Sequence, residues 1–396
     1  MKEALTARLK RLQSLGTGER ASASPPNEQT VDPGPQDAVS ELPNLGFVEI
    51  AEHVWCRRTR HRLDGQTRAR IAGYESTGVI LPDARGPYVF LDTETTGLGS
   101  GAGTVAFLTG CGTLEPDDTL LIRQFLLSDY PGEPAYLAVL AGILTPDCCM
   151  VSYNGKSFDS NVLQTRFLMN GIPWTRPRQL DLLYSVRRLF RTRLSRCNLA
   201  TVERDLLFVQ RQGDIPGAEV PDRYFAFLET GAAEVLRPVV YHHEQDIVSL
   251  VKLLVFLEDD AASPPSHSRA DPVALARLIM PGAPTKAMSM LSDLVRHDSP
   301  FGDSRRAMVL LAGLLKRAGD VAQAVPLWES LFRNGGSAAA GIELAKYYEH
   351  RLGDPVSAIE VCREIQKRTN EGQFRDALLH RMDRLSRRIS ESEIDR

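Results

Sequence analysis

The chain has 396 residues, 43% hydrophobic and 24% charged, with 47 Lys and Arg against 50 Asp and Glu for a formal charge of −3. That length exceeds one ordinary core and sets an expectation of two to three domains. The near-neutral balance excludes binding of polyanions through global charge and leaves only local basic patches for that purpose.

Six cysteines (Cys56, Cys111, Cys148, Cys149, Cys197 and Cys362) form no C-x-x-C pair and have no His partners at zinc spacing. Neither a disulfide framework nor a zinc site is expected, and a cytoplasmic location fits. Met1 to Leu15 lacks the continuous apolar stretch of a signal peptide, and no run reaches transmembrane length, so no membrane contact is expected.

Residues 1–46 read as a short helix, with Leu5, Leu9 and Leu12 at helical spacing, followed by a tether rich in Ser, Pro, Gly, Asn and Gln. From residue 47 the pattern turns to β. Tyr88-Val89-Phe90-Leu91 runs straight into Asp92-Thr93-Glu94-Thr95. Positions i and i+2 of a strand share a face, so Asp92 and Glu94 point together while Thr93 points away. Carboxylates so placed repel each other unless a cation sits between them, and hard divalent ions such as Mg2+ or Mn2+ suit them.

Thr104 to Thr113 and Thr119 to Leu127, separated by Glu115-Pro116-Asp117-Asp118, predict a hairpin. A helix from Glu133 to Leu144, a buried strand over Cys148 to Tyr153 and a helix from Ser157 to Asn170 follow, the last stopped by Gly171 and Pro173. Helices dominate from Asp181 onward. Three meandering strands followed by alternating helix and strand predict an α/β fold with a mixed sheet flanked by helices.

Two further acids sit where such a sheet would present them. Tyr153-Asn154-Gly155-Lys156-Ser157-Phe158 leads from strand to helix and puts Asp159 in the helix's first turn, where a carboxylate also complements the helix dipole. Val239 to Val248 reads as an amphipathic helix anchored by Ile247, Leu250 and Leu254, with His242 and Asp246 on one face.

Residues 259–272, with Ala261-Ala262-Ser263-Pro264-Pro265-Ser266, read as a linker. Beyond it, over 273–390, Gly319-Asp320 returns as Gly353-Asp354, Ala324 as Ala358, Trp328 as Cys362 and Leu331 as Ile365, each 34 residues on. That period belongs to tetratricopeptide helix pairs, and the second copy carries one extra residue in its first helix. With so few copies, this half is expected to lean on the first domain and to pack or bind a protein partner.

The order Asp92, Glu94, Asp159, Asp246 resembles the DEDD superfamily of 3'-to-5' exonucleases: D-x-E on the first strand, N-x(3)-[FY]-D after a later strand and an aspartate on a late helix preceded by Tyr or His. More narrowly, Leu91 to Leu98, Gly101 to Leu108, Tyr153 to Asp159, Leu180-Asp181-Leu182-Leu183 and Pro216 to Pro221 are similar to the YprB family of predicted RNase H-like nucleases. The resemblance covers roughly residues 47–258. It implies an RNase H-like domain followed by an all-α tetratricopeptide-like helical domain. It also implies phosphodiester hydrolysis on DNA or RNA, with nucleoside 5'-monophosphates released from a single-stranded 3' end. Asp92, Glu94, Asp159 and Asp246 would hold two Mg2+ or Mn2+ ions.

The general base departs from both family patterns. The histidine subclass places it five residues before the last aspartate and the tyrosine subclass four, whereas here those places hold Tyr241 and His242. Positions i and i+5 of a helix diverge by about 140°, and neutral imidazole accepts a proton near pH 7 better than a phenol of pKa about 10. His242 is therefore the expected base, with Tyr241 and His243 as alternatives.

Thr95, Asn154 and Lys156 are candidate substrate contacts, beside the plainer readings of a turn residue for Asn154 and an exposed lysine for Lys156. Two arginine clusters, Arg57 to Arg70 and Arg187 to Arg196, are either solvated faces or local patches for nucleic acid. Two other functions fit the same motifs: a non-catalytic nucleic-acid-binding scaffold that recruits a partner through the helical repeats, and a structure-selective endonuclease.

Overall fold

Runs rich in β-branched and aromatic residues between Phe47 and Asp181 pair into a single sheet in the computed structural model of the protein. The structure describes residues 39–77, 80, 86–97, 99, 101–211, 213–264, 267–296, 302–368 and 375–394. The helix and tether expected before residue 39 lie outside the described residues.

Seven strands, β1 (Phe47–Ala51), β2 (Val54–Arg62), β3 (Tyr88–Thr95), β4 (Ala106–Leu114), β5 (Thr119–Leu127), β6 (Cys149–Ser152) and β7 (Arg178–Asp181), lie in the order β1-β2-β5-β4-β3-β6-β7. Pairing is antiparallel from β1 through β3 and parallel for β3 with β6 and β6 with β7. The helices of this half are α1 (Thr67–Thr77), α2 (Glu133–Ala141), α3 (Asp159–Met169), α4 (Leu182–Phe190), α5 (Leu199–Val202), α6 (Val220–Thr230) and α7 (Arg237–Ala262). This is the RNase H-like mixed sheet flanked by helices that the sequence predicts. It also contains β7 and α1, which the sequence reading does not identify.

Alternation along β3 divides the core between two faces. Val89 and Leu91 pack with Tyr136, Leu137 and Leu140 of α2 and Val162, Leu163 and Phe167 of α3. Phe90 packs on the opposite face with Leu120, Ile122 and the Ile247, Leu250 and Leu254 row of α7.

The approach of α7 to that face depends on two glycines. Gly112 lies opposite Phe90 and Gly110 opposite Asp92 in the β3–β4 register. A Cβ at Gly110 would lie 2.1 Å from Ile247 Cδ1 and 2.6 Å from His243 Cε1, and one at Gly112 would lie 2.7 Å from Ile247 Cγ2. The missing side chains make a slot in β4, and α7 lies in it. Polar contacts fix its register: Gln124 Nε2 donates to Val240 O at 2.9 Å and to His243 Nδ1 at 3.0 Å. Glu244 pairs with Arg57 and lies 2.6 Å from His61 Nε2.

The second half is all helical: α8 (Pro272–Ile279), α9 (Pro284–Arg296), α10 (Asp303–Arg317), α11 (Val321–Arg333), α12 (Ala338–Tyr347), α13 (Pro355–Arg368) and α14 (Arg375–Ile394). Helix α7 runs on into the stretch read as a linker. The chain then folds back because buried Asp260 accepts from Ser268 Oγ and Arg269 N, both at 2.7 Å, and from Ala270 N at 3.1 Å.

The 34-residue correspondence has a structural counterpart. Gly319 and Gly353 both take left-handed φ values, 84° and 66°, and the aspartates after them accept from Gln323 N and Ser357 N. Ala324 and Ala358, Trp328 and Cys362, and Leu331 and Ile365 are all buried. The extra residue falls in a π turn, Tyr348–Leu352, which absorbs it without breaking the helix. Buried Glu349 in that turn binds Arg381 and Arg384 of α14, the latter through Nη2 at 2.6 Å. One apolar core runs from Phe90 through α7 to Leu385.

Gly110→Ala is predicted to destabilise the protein by about 1–3 kcal/mol, because the new methyl must displace Ile247 and His243. Gly73→Ala, at an exposed position of α1 where a Cβ meets nothing within 4 Å, is the control and should be neutral or stabilising. Denaturant midpoints of the two variants, equal within error, would refute the slot.

Candidate metal centre

The C-terminal end of β3 directs Asp92 and Glu94 toward α7. Thr93 faces the other way, and its hydroxyl donates to Asp159 Oδ1 at the start of α3. The turn before α3 is held by Asp181, which accepts from Asn154 N at 2.8 Å and Lys156 N at 3.1 Å and also caps α4 through Leu183 N at 3.0 Å. Asn154 is left-handed, with φ of 68°. A Cβ on Gly155 would lie 2.5 Å from Ser152 Oγ, so this turn has no room for a side chain there.

Consecutive histidines on α7 point about 100° apart and meet different surroundings. His243 is fully buried. Its Nδ1 accepts from Gln124, so the proton is on Nε2, which donates to Asp92 O at 3.1 Å. Burial pushes its pKa down to about 4, and it is a neutral prop between α7 and β3. His242 lies at the rim, with Nε2 3.4 Å from Asp246 Oδ2 and 4.0 Å from Glu94 Oε1, and Nδ1 2.6 Å from Asp214 Oδ1. Tyr241 is 44% exposed. Of the three candidate bases, His242 is the one with a ring nitrogen that faces both Glu94 and Asp246.

Glu94, His242 and Asp246 each offer a ligand atom within 4.8 Å of the others. Asp92 and Asp159 belong to the same electrostatic cluster. Burial, then repulsion from Asp246, Asp159 and Glu94, holds Asp92 well above the usual carboxylate range. Burial and Asp246 lift Glu94 to about 8. Burial lifts Asp159 to about 6 against the Thr93 hydrogen bond. Asp246 is raised by burial although His242 and Arg211 oppose it. Burial works to lower His242, yet Asp246, Asp214 and Glu94 raise it overall. Four carboxyl groups and an imidazole so close together are a donor set suited to a hard divalent cation.

Three residues of this centre are not singled out by the sequence: Glu203, Arg211 and Asp214. Arg211 pairs with Asp246, binds Glu203 at 2.5 Å and approaches Asp214 at 3.5 Å. Glu203 is buried and also accepts from Ser249. Arg211 and Asp214 lie in an irregular stretch directly before Pro216 to Pro221, and that position was the available signal. Thr95, read as a substrate contact, donates to Gly97 O at 2.8 Å and so closes the strand's exit turn. Asn154 and Lys156 have exposed side chains beside the centre.

Residues 89–258 match the RNase_H superfamily (RNase_H_2). The uncharacterized protein YprB of Bacillus subtilis (strain 168) is 34% identical over 288 residues, covering 69% of this chain and 68% of that protein. Among solved structures, E. coli Exonuclease I in complex with a dT13 oligonucleotide aligns at 15% identity over 40% of this chain and 43% of its own, with a TM-score of 0.28. An ExoI/SSB-Ct complex aligns at 15% identity over 53% and 44%, with a TM-score of 0.29. The chain spans less than half the length of each of these two structures.

The raised acids fix the sign of two pH effects. A proton held more tightly in the folded protein favours folding below the unfolded carboxyl pKa. Without metal, that contribution should fade as pH rises through about 6 for Asp159 and about 8 for Glu94. A divalent cation must displace the same protons, so its affinity should rise by up to about tenfold per pH unit for each proton released. Melting temperatures with and without Mn2+ between pH 6 and 8.5 test this. A metal-induced increment that stays flat across the window would refute it.

Proposed function

The chain belongs to the family of Bacillus subtilis YprB, and on that premise we propose that it is a metal-dependent nuclease acting on DNA or RNA. The observation that carries the reading is the convergence of Glu94, His242 and Asp246 within 4.8 Å, with Asp92 and Asp159 in the same field. The order of the four acids along the chain favours a 3'-to-5' exonuclease that releases nucleoside 5'-monophosphates. The six free cysteines suit a cytoplasmic location.

Asp92, Glu94, Asp159 and Asp246 would hold two Mg2+ or Mn2+ ions, which supply Lewis-acid activation of water and neutralise charge building on the phosphate. The protein's own part is to move the proton and hold the geometry. Asp214 binds Nδ1 of His242 and sets the tautomer that leaves Nε2 free toward the acids. Nε2 accepts the proton of the attacking water as its oxygen bonds to phosphorus, the bond to the 3'-oxygen breaks, and that oxygen is protonated from solvent. Thr93 and the Asp181-held turn orient Asp159, and Arg211 holds Oδ1 of Asp246 so that Oδ2 faces His242.

Single-stranded DNA and RNA labelled at the 5' end, incubated with Mg2+ or Mn2+, should shorten from the 3' end and release mononucleotides. Asp92→Ala and Asp246→Ala should abolish release. His242→Ala should slow it by about 10²–10⁴-fold, whereas His243→Ala should lower the unfolding free energy by about 2–4 kcal/mol for a buried, twice-bonded side chain, read from denaturant midpoints. Equal activity in wild type and acid variants, or none with either metal, would leave a nucleic-acid-binding scaffold instead. Internal cuts without mononucleotides would make the protein an endonuclease.

A further inference from the structure

Helix α4 buries Leu182, Leu183, Val186, Leu189 and Phe190. Its outward face holds Tyr184, Arg187, Arg188 and Arg191, at i, i+3, i+4 and i+7, all exposed. Tyr184 is 50% exposed. Between Leu182 and Arg196 the sequence has five arginines and no acid.

Several arginines near the sheet are already neutralised within the fold. Arg57 is bound to Glu244, Arg60 to Glu115, Arg70 to Asp64 and Arg193 to Asp303. Among the described residues no acid forms an ion pair with Arg187, Arg188 or Arg191. A merely solvated helix face gains nothing from three uncompensated guanidinium groups that repel one another.

The stripe also begins beside the turn that carries Asp159. Tyr184 OH lies 3.0 Å from Ser157 Oγ, in the turn that delivers Asp159. Asp181, which caps α4, is the residue that binds Asn154 N and Lys156 N of the same turn. From Tyr184 to Arg191 the row runs about 10 Å along the helix, at 1.5 Å per residue.

Resting on the nuclease reading, we propose that the outward face of α4 is the track on which a single-stranded polynucleotide lies as its end enters the centre. Arg187, Arg188 and Arg191 meet successive phosphates, and Tyr184 stacks on an unpaired base next to the reacting end. Charge complementarity selects a polyanion, and the ring selects single strands, because paired bases in a duplex present no free face to it.

The test uses the full-length protein in EDTA, so that binding is read without hydrolysis, with fluorescence anisotropy of labelled oligothymidylate and oligouridylate over a salt series. Reversing Arg187, Arg188 and Arg191 to Glu together should weaken binding at least about tenfold and lower the slope of log affinity against log salt by about 2, at roughly 0.7 per lost single-strand contact. Tyr184→Ala should weaken binding about tenfold with the slope retained. A control carrying Arg351→Glu and Arg363→Glu, exposed positions of the helical half, should bind as wild type does.

Wild-type affinity and slope in the triple variant, an equal loss in the control, or no binding by wild type would each overturn the proposal. Nucleotide release with Mg2+ or Mn2+ is scored separately. Binding that depends on α4 without any release would uphold the track and sink the nuclease.

Discussion

The whole acidic centre hangs on how closely α7 can approach β3. Two strand positions without side chains, Gly110 and Gly112, let Ile247 and His243 occupy space that any Cβ would fill. His243 then binds the backbone of Asp92, the residue that begins the acidic pair. Once that bond fixes the helix's rotation, the 100° step per residue carries His242 to the rim above Glu94, and one further turn places Asp246 beside it. Adjacent histidines of identical chemistry thus become a neutral prop and a raised-pKa group facing acids. Helix rotation, not residue type, separates them.

Holding so much negative charge in one place opposes folding. Asp92, Glu94, Asp159 and Asp246 all have raised pKa values, and burial is the first cause in each. The fold offsets part of this with Arg211 on Asp246 and part with Thr93 on Asp159. It also spends strong polar contacts on register: Arg57 and His61 draw Glu244 down to about 2 against its burial. Buried ion pairs add little net stability compared with apolar packing, but they penalise every other alignment of the helix. Like-charge crowding that a fold tolerates against its cost is a feature that clusters at functional sites.

The parts of this arrangement that the sequence made legible are local. The i, i+2 spacing of Asp92 and Glu94, the i, i+4 spacing of His242 and Asp246, the strand-to-helix turn before Asp159 and the 34-residue return of Gly319-Asp320 each lie within one element or one repeat. Glu203, Arg211 and Asp214 were not legible, because their partners on α7, Ser249, Asp246 and His242, lie 28 to 46 positions away across an irregular stretch and only the tertiary fold joins them. The glycine slot stands between these cases. Gly110 and Gly112 are two apart in a strand and so open on one face, and glycine inside a strand signals a close approach; the sequence could show that something lies there, but not that it is α7. Strand β7 is only four residues long and is paired along one edge, too short for periodicity to reveal.

Helix α4 ties the second half of the chain to this centre. Its N-terminus is capped by Asp181, which also holds the turn ahead of Asp159, so that one carboxylate sets the relation between helix and site. In its last turn Leu189 O accepts from Asp271 N at 2.7 Å, and past its C-terminus Thr192 donates to Asp271 at 2.5 Å and Arg193 reaches Asp303 at 2.6 Å. Asp271 caps α8 and pairs with Arg306 of α10. The inner row of α4 joins the same apolar core as α8 to α14. A helix clamped at both ends and packed along its length cannot shift without disturbing a capped helix and several buried ion pairs, each costly to leave half-made. By packing on α4 and holding the residues after it, the helical half braces the helix whose cap, Asp181, holds the turn that carries Asp159.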